Sequence, residues 1–276
     1  MLMIVIHHVF LLWGAKNHIT TSWGFLGTGM FFLLSGYGLY VSLENKKLEF
    51  SWIVQKSKKM LFPFTFAFFV YIILLPFYNY EGLSCSLIVD FFTLRIPNTT
   101  TWFLKAILLL YFITYIAFSK LQKKWRVYFV LSCVVSFFLF ARIFLSAEWY
   151  WTILNFPMGM FMGLYRKKIE TKKFAFKMAG LLSLVFFIIS LERQCNVAAS
   201  MFFSILATVG LSFFPVKNYI LNYIGINSIN FYLFQMIFLH VCLAVPLCTN
   251  VSLYLVFVIL LTFSLSLIYN KIQKMV

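Results

Sequence analysis

Two adjacent histidines, His7 and His8, lie in an uncharged apolar stretch near the start of the chain. Polar groups are costly inside a bilayer, and two neighbouring positions on a helix cannot both face one partner helix. At least one of the two rings is therefore expected to point into a helical bundle. Histidine is the side chain best suited to accept a proton from a hydroxyl near neutral pH. The pair indicates a general base, and a structural hydrogen bond is the alternative.

Ser35 and Tyr37 place hydroxyl groups near the middle of a second uncharged run, residues 25–43. Small residues let membrane helices approach closely, and serine in such a helix commonly bonds to a neighbouring helix or to its own turn. The pattern therefore leaves two interpretations open, helix packing and contact with a substrate. The run is interrupted by four glycines, Gly27, Gly29, Gly36 and Gly38.

A basic segment, Lys46 to Lys59, follows this run and is typical of a cytoplasmic loop. Lysine is a competent point charge for phosphate groups, so Lys56, Lys58 and Lys59 are candidates for binding phosphates. The alternative is that they only set the topology of the chain. A later basic loop contains Arg166 to Lys168 and allows the same two interpretations.

Further polar side chains fall within the apolar runs of the second half. Lys105 and Arg142 lie close to the outer ends of their runs, where they either snorkel to the interface or line a polar cavity. Gln235 is expected to make a hydrogen bond inside the bundle, and His240 lies near the outer interface. Trp102 begins an apolar run and is typical of an interfacial aromatic belt.

Several classes of site find no support in the sequence. It has no Ser-His-Asp spacing, no glycine-rich phosphate loop and no carboxylate pair. The five cysteines show no CxxC spacing and no accompanying histidine cluster, so no metal site is expected. All seven acidic residues fall in or beside predicted loops, which argues against proton-coupled transport through a buried acid.

The composition places the chain in a membrane. It is 63% hydrophobic and only 11% charged, whereas about a quarter of the residues are charged in soluble domains. The net charge of +16 comes from short basic clusters between apolar runs. This is the positive-inside pattern, so nucleic acid is not an expected partner and the lipid bilayer is.

The apolar runs predict an all-α fold, a polytopic membrane bundle of about ten transmembrane helices. One domain over residues 1–276 is expected, with no appended soluble domain. The first run is shorter than the roughly 20 residues that a crossing needs, so the first helix is expected to lack a few residues at its start. The predicted spans are 1–14, 25–43, 61–79, 102–119, 127–145, 151–165, 178–191, 197–215, 226–246 and 251–270.

The distribution of Lys and Arg predicts the orientation. Basic clusters follow the second, fourth, sixth, eighth and tenth spans, while the intervening loops hold few cations. Both termini are therefore expected on the cytoplasmic side of the cell membrane. The longest outer loop is predicted from Tyr80 to Thr101.

With these residues located, the chain resembles the acyltransferase family 3 membrane proteins. These are integral O-acyltransferases with about ten helices that modify bacterial polysaccharides and related glycans. Four segments carry the resemblance over nearly the whole length: Phe31-Phe32-Leu33-Leu34-Ser35-Gly36-Tyr37-Gly38-Leu39; the basic stretch leading to Pro63, with Lys56 and Lys59 where the family usually has arginines; Trp102-Phe103-Leu104 followed by Tyr111; and Asn227-Ser228-Ile229-Asn230-Phe231-Tyr232-Leu233.

The resemblance implies roles for several of these residues. His8 best matches the histidine that the family uses as its base, with His7 as its neighbour. The basic residue that precedes this histidine in the family would lie before Met1. Gln235 stands where the family pattern has a histidine, and glutamine forms hydrogen bonds but does not titrate.

The resemblance also implies the substrates. Acetyl-CoA or a related acyl-CoA would approach from the cytoplasm as a co-substrate, with no permanently bound cofactor. Its phosphates would meet Lys56, Lys58 and Lys59, extending to residues 166–168, and its pantetheine arm would pass near Ser35 to Tyr37. The acceptor would be a hydroxyl of a polysaccharide or lipid-linked glycan. Trp102, Arg142, Tyr232 and Gln235 complete the expected substrate-binding set.

Two other functions remain open. One is a flippase or transporter of a lipid-linked sugar, which would need a similar polar and aromatic cavity. The other is a catalytically degenerate family member that acts as a scaffold for glycan-assembly proteins. The substitution at Gln235 and the missing basic residue are the departures from the family pattern that make the second of these credible.

Overall fold

The computed structural model describes residues 1–14, 18–75, 85–96, 101–213, 218–244 and 250–273. Within these ranges the chain forms thirteen α-helices and no strand, which confirms the all-α class. The helices are α1 (Leu2–Leu12), α2 (His18–Leu43), α3 (Phe50–Ile73), α4 (Cys85–Phe92), α5 (Trp102–Lys120), α6 (Lys123–Phe144), α7 (Asn155–Leu164), α8 (Arg166–Thr171), α9 (Lys173–Glu192), α10 (Asn196–Phe213), α11 (Tyr219–Ile226), α12 (Ser228–Ala244) and α13 (Val251–Gln273).

Six of the described helices are long and apolar enough to cross a membrane. About 20 apolar residues match the thickness of the hydrocarbon core, and these segments have 18 to 23 residues. The chain is thus a multi-pass membrane helical bundle, and the predicted count of ten spans is only approximate. The six segments are Ser22–Leu43, Trp102–Lys120, Lys123–Phe144, Phe174–Glu192, Asn196–Phe213 and Val251–Gln273.

The basic segment was predicted to be a loop, but most of it is helical, because α3 begins at Phe50. Lys56, Lys58 and Lys59 therefore lie on a helix. Lysine and glutamine are good helix formers, and no glycine or proline interrupts residues 50–62. Pro63 lies inside the same helix and does not end the segment.

Two other predicted boundaries are wrong for a shared reason: hydropathy marks apolar runs but does not mark helix ends. The predicted outer loop contains α4, and its turn at residues 97–100 lies outside the described residues. The sixth span shortens to the ten residues of α7. The ninth span agrees closely with α12, and a separate short helix, α11, precedes it.

The chain divides into two compact units, each assembled from segments that are distant in sequence. Unit 1 contains residues 1–24, 55–105 and 218–276, and unit 2 contains residues 25–54 and 106–217. Three helices, α2, α3 and α5, pass from one unit to the other. The expectation of a single domain over residues 1–276 stays a prediction.

In unit 1, α1 packs against α12 and α13, which form an antiparallel pair. The Tyr254 hydroxyl donates a hydrogen bond of 2.6 Å to the Leu239 carbonyl, which ties α13 to α12. The Trp13 ring lies 5.5 Å from the Tyr254 ring, which fixes the end of α1 at the same level. The apolar core between the three helices consists of Val5, Val9, Met236, Leu239, Cys242, Tyr254 and Val258.

Amide side chains join α11, α12 and α13 at the other end of the pair. Asn270 donates hydrogen bonds to the Tyr223 hydroxyl at 2.9 Å and to the Asn227 side-chain oxygen at 2.8 Å. Asn230 in turn donates to the Asn270 oxygen at 3.3 Å. Because each of these amides has a protein partner, the network holds the register of α12 against α13.

In unit 2, two glycines let the backbones of α2 and α7 touch. A Cβ atom at Gly36 would collide with the Phe156 carbonyl oxygen, and one at Gly159 would collide with the Leu33 carbonyl oxygen. Each glycine thus faces the backbone of the opposite helix, as expected for small residues at membrane helix crossings. Within the Ser-Gly-Tyr-Gly run, Gly36 therefore serves helix packing.

Unit 2 also contains an antiparallel hairpin of α9 and α10. The rings of Phe186 and Phe202 stack at 5.2 Å, and those of Phe187 and Phe203 lie 5.5 Å apart. Aromatic pairs of this kind add to the packing that joins helices in lipid. The hairpin lies beside α7, where the Asn155 amide donates a hydrogen bond of 3.0 Å to the Ser200 hydroxyl of α10.

We predict that Gly36→Ala and Gly159→Ala each destabilise the protein by about 1–3 kcal/mol, because the added methyl group forces the two backbones apart. Gly38→Ala is the matched control, since nothing lies within 4 Å of a Cβ at that position and alanine is the better helix former. Thermal unfolding of the three variants in detergent checks this. A Gly38→Ala variant as unstable as the other two would contradict the assigned crossing.

Candidate active site

The ring of His7 packs against the backbone of α2 at Gly24. A Cβ atom built on Gly24 would lie 2.5 Å from Cδ2 and 2.7 Å from Nε2 of His7. Only glycine leaves room for the ring at this point, because any larger residue would occupy the same space. The His7 side chain therefore points into unit 1 toward a neighbouring helix, as at least one histidine of the pair was predicted to do.

His8 lies on the most buried side of α1. Its direction on the helix falls between those of Ile4 and Val5, which are 3% and 1% exposed. Val9, the next residue along the chain, is fully buried against α12 and α13. The rings of His7 and His8 meet edge to face with their centroids 5.0 Å apart. The pair thus places two imidazoles in contact within a largely apolar setting.

Gln235 of α12 belongs to the same group of packed helices in unit 1 as His8 of α1. The ring contact of Trp13 with Tyr254 and the hydrogen bond of Tyr254 to Leu239 join the three helices. The apolar core between them includes Val9, which follows His8 in the chain, and Met236, which follows Gln235.

Gln235 is completely buried, but the hydrogen bond expected for it inside the bundle is not found: neither its Oε1 nor its Nε2 has a partner among the described residues. The Thr262 hydroxyl of α13, which is 1% exposed, is likewise without a partner in the described chain. On α13, Thr262 lies midway between Tyr254 and Asn270. On α12, Gln235 lies midway between Leu239 and Asn230, which are the partners of those two residues. Buried polar groups are nearly always hydrogen-bonded, so two unpaired ones at a similar depth indicate a place for a polar guest.

Aromatic rings connect α5 with α12 in the same unit. Trp102 begins α5, and its ring meets that of Phe103 at 6.1 Å. The Phe103 ring in turn lies 5.2 Å from that of Tyr232, which is 5% exposed. Tyr232 and Gln235 are three residues apart on α12 and thus share a face of that helix.

The candidate phosphate-binding lysines lie on α3 in unit 1. Lys58 and Lys59 are exposed, whereas Lys56 is partly buried. Burial lowers the pKa of Lys56, and the nearby charge of Lys59 lowers it further. Both effects disfavour the charged form of Lys56. A bound anion would offset them, because it would stabilise the ammonium groups of Lys56 and Lys59.

The remaining predicted residues, Ser35, Tyr37 and Arg142, lie in unit 2. Ser35 and Tyr37 are partly buried and flank Gly36 at the crossing of α2 with α7. Arg142 is exposed in the last turn of α6, as a side chain that snorkels to the interface would be. Their assignment to substrate binding stays a prediction of the resemblance. The side chain of His240 lies outside the described residues.

Two residues of this region did not emerge from the sequence. Thr262 is a lone threonine in an apolar helix, and such a residue commonly bonds to its own turn. Gly24 lies just before the apolar run in which glycines were noted. Tertiary packing alone reveals that the first is unpaired and that the second supports an imidazole.

A comparison with protein families matches residues 1–271 to the acyltransferase family 3, described as an acyltransferase domain. The chain belongs to this family. The match covers nearly all of its 276 residues, so both units fall within the acyltransferase domain. Neither a curated protein nor a solved structure matches the chain. At the level of its family, the protein is a multi-pass membrane acyltransferase.

We predict that Gly24→Ala lowers the unfolding temperature, because the new methyl group displaces the His7 ring. The double variant Gly24→Ala/His7→Ala should recover most of this loss, since removal of the ring makes room for the methyl group. Gly225→Ala, where a Cβ meets nothing within 4 Å, is the control in the same unit. Additive losses in the double variant would show that the two residues do not touch.

Proposed function

We propose that the protein transfers an acyl group, acetyl in the simplest case, from acyl-CoA to a hydroxyl of a cell-surface polysaccharide or lipid-linked glycan. The observation that supports this most is the pairing, within unit 1, of a half-buried imidazole, His8 on α1, with a buried amide, Gln235 on α12, that has no hydrogen-bond partner among the described residues. Family membership supplies the reaction class, and this arrangement supplies a base and a hydrogen-bonding group.

In this mechanism His8 accepts the proton of the acceptor hydroxyl as its oxygen attacks the thioester carbonyl. The carbon–sulfur bond then breaks, the acyl group remains on the acceptor oxygen as an ester, and the thiolate leaves and takes the proton from His8 as free CoA. A positioned base of this kind accounts for about 10²–10⁴-fold in rate. His7 packs on Gly24 and steadies the position of its neighbour.

Gln235 is proposed to bind the reacting groups. Its amide nitrogen can donate to the thioester carbonyl oxygen, on which negative charge develops, and its oxygen can accept from the sugar hydroxyl. Glutamine does not titrate, so the only proton transfer in this scheme is made by His8. A buried amide with both ends unpaired is suited to this task, because it pays its desolvation before the substrate arrives.

The aromatic set of Trp102, Phe103 and Tyr232 is proposed to line the approach of the acceptor, because sugar rings pack their apolar faces on aromatic side chains. The lysines of α3 are proposed to bind the phosphates of CoA from the cytoplasm. Both termini are proposed to lie on the cytoplasmic side of the cell membrane, and the distribution of basic residues supports this orientation.

We predict that His8→Ala lowers ester formation by about 10²–10⁴-fold with unchanged protein abundance. His7→Ala should retain more activity, because its ring serves packing. Leu11→Ala, at a side chain that is 42% exposed on the same helix, is the control. The O-acetyl content of glycan from a deletion strain carrying each variant checks the order, and release of CoA thiol by the purified protein gives the rate.

The same strains separate the alternatives. A flippase would change the amount of surface glycan in the deletion strain without changing its ester content per sugar. A scaffold would support wild-type ester levels with His8→Ala as long as the protein is present at normal abundance. Either result would remove the acyl-transfer proposal.

We predict opposite effects on stability and activity for Gln235→Leu. Replacing an unpaired buried amide by an apolar group should stabilise the fold by about 1–3 kcal/mol, while kcat/KM falls because the reacting groups lose their contact. Asn230→Leu is the contrasting variant on the same helix, since it deprives Asn270 of a partner and should destabilise. A less stable Gln235→Leu would show that the amide is satisfied by the protein.

A further inference from the structure

Glu44, immediately after α2, is the centre of an ion-pair network in unit 2. Its carboxylate accepts from the Lys123 ammonium at 3.1 Å and from Nη2 of Arg166 at 2.9 Å. Lys123 also donates to the Asn45 side-chain oxygen at 3.0 Å. The hydrogen bond from Lys123 and the charges of both cations hold the pKa of Glu44 below its usual value, so the carboxylate is ionised at neutral pH.

Arg126 is held beside this network by contacts with the backbone. It donates from Nη1 to the Lys46 carbonyl at 3.0 Å and from Nε to the Leu121 carbonyl at 3.2 Å. Its guanidinium group also lies over the Phe118 ring at 4.9 Å. These contacts hold the guanidinium in place, but none of them is with an anion, and Arg126 forms no ion pair with a carboxylate among the described residues.

Two hydrogen-bond donors at this place have no acceptor among the described residues. Nη1 of Arg166 is buried without a partner, although Nη2 of the same side chain pairs with Glu44. The Tyr40 hydroxyl is also buried and unpaired, on a residue that is 1% exposed. The charged groups that act on this hydroxyl are those of Glu44, Arg166 and Arg126.

The position of Tyr40 depends on a glycine of α7. A Cβ atom at Gly163 would lie 2.9 Å from the Tyr40 ring, so the absence of a side chain lets the ring lie flat on that helix. Arg166 begins α8 three residues later, which brings the hydroxyl and the guanidinium to the same end of α7. A small residue, a buried hydroxyl and a half-paired arginine thus meet at one place.

We propose that Nη1 of Arg166 and the Tyr40 hydroxyl, with the charge of Arg126, bind a phosphate group. Two cations, Lys123 and Arg166, pair with the carboxylate of Glu44, and Arg126 adds a third positive charge near the Tyr40 hydroxyl, so these groups together carry an excess of positive charge. Both unpaired groups donate hydrogen bonds, and an arginine fork with one free arm matches a phosphate oxygen in geometry and charge. The sequence had marked Arg166 as one member of a basic loop that could bind phosphates, and gave no role to Tyr40 or Arg126.

Two sources supply such a phosphate at the end of a membrane helix. One is the headgroup of an anionic lipid, and the other is a soluble phosphate ester such as a nucleotide. A soluble ester at this site would agree with the expectation that the phosphates of acyl-CoA extend to residues 166–168, and to that extent the site rests on the proposed function. Binding is measured without turnover and without involving His8, so loss of binding and loss of acyl transfer are distinguished.

The test is a titration of the purified full-length protein in nanodiscs of neutral phosphatidylcholine, at constant ionic strength. The soluble arm uses adenosine 3′,5′-bisphosphate, and the lipid arm uses nanodiscs that contain increasing fractions of phosphatidic acid. The unfolding temperature reports binding in both arms. A rise in only one arm supports the site and identifies the source of its phosphate.

Tyr40→Phe and Arg166→Lys should each weaken the binding about tenfold or more, the effect of losing one charge-assisted hydrogen bond. Tyr40→Phe keeps the ring, and Arg166→Lys keeps a cation for Glu44, so both are expected to fold. The controls are Tyr219→Phe, at a residue that is 84% exposed, and Arg193→Lys, at an exposed arginine of the same unit. Equal affinity in the wild type and both site variants, or no stabilisation in either arm, would overturn the proposal.

Discussion

The hydrocarbon core of a membrane contains no water, so every polar group buried there must find its partner within the protein or in a ligand. This constraint separates the polar residues of the chain into two kinds. Asn227, Asn230 and Asn270 satisfy one another and hold helices together. Gln235 and Thr262 find no partner in the described chain, although they lie in the same helix pair. Whether a buried polar side chain has a hydrogen-bond partner, and not which residue type it is, thus distinguishes the structural residues from the candidate site residues.

Close helix contacts position these groups. The absence of a side chain at Gly24 leaves space for the His7 ring. In the same way, Gly36 and Gly159 each leave space for a backbone carbonyl of the opposite helix. In water such contacts would compete with the hydrophobic effect, but in lipid they are a main source of helix association. The phosphate site proposed near Arg166 follows the same logic, since Gly163 makes room for the Tyr40 ring. Small residues thus decide where large polar side chains can lie.

Much of the fold was predictable because composition and hydropathy report directly on the solvent around a chain. An 11% charged sequence with long apolar runs has to be a membrane helical bundle. Helix ends were less predictable: α3 begins at Phe50 within a basic segment, and the short helix α11 precedes the ninth predicted span. These ends depend on caps and packing, to which an average over apolar residues is insensitive.

The sequence by itself determined the fold class, the family resemblance that the family match confirms, and the candidacy of His8, because each of these depends on residue type and order. Tertiary structure alone decided which polar groups are paired. Nothing in the order of residues shows that, within the described part of the chain, Gln235 lacks a partner while Asn230 has one, or that Nη1 of Arg166 is unpaired while Nη2 is bound to Glu44. The physical reason is that a hydrogen bond between helices depends on distance and direction, which exist only once the helices have packed.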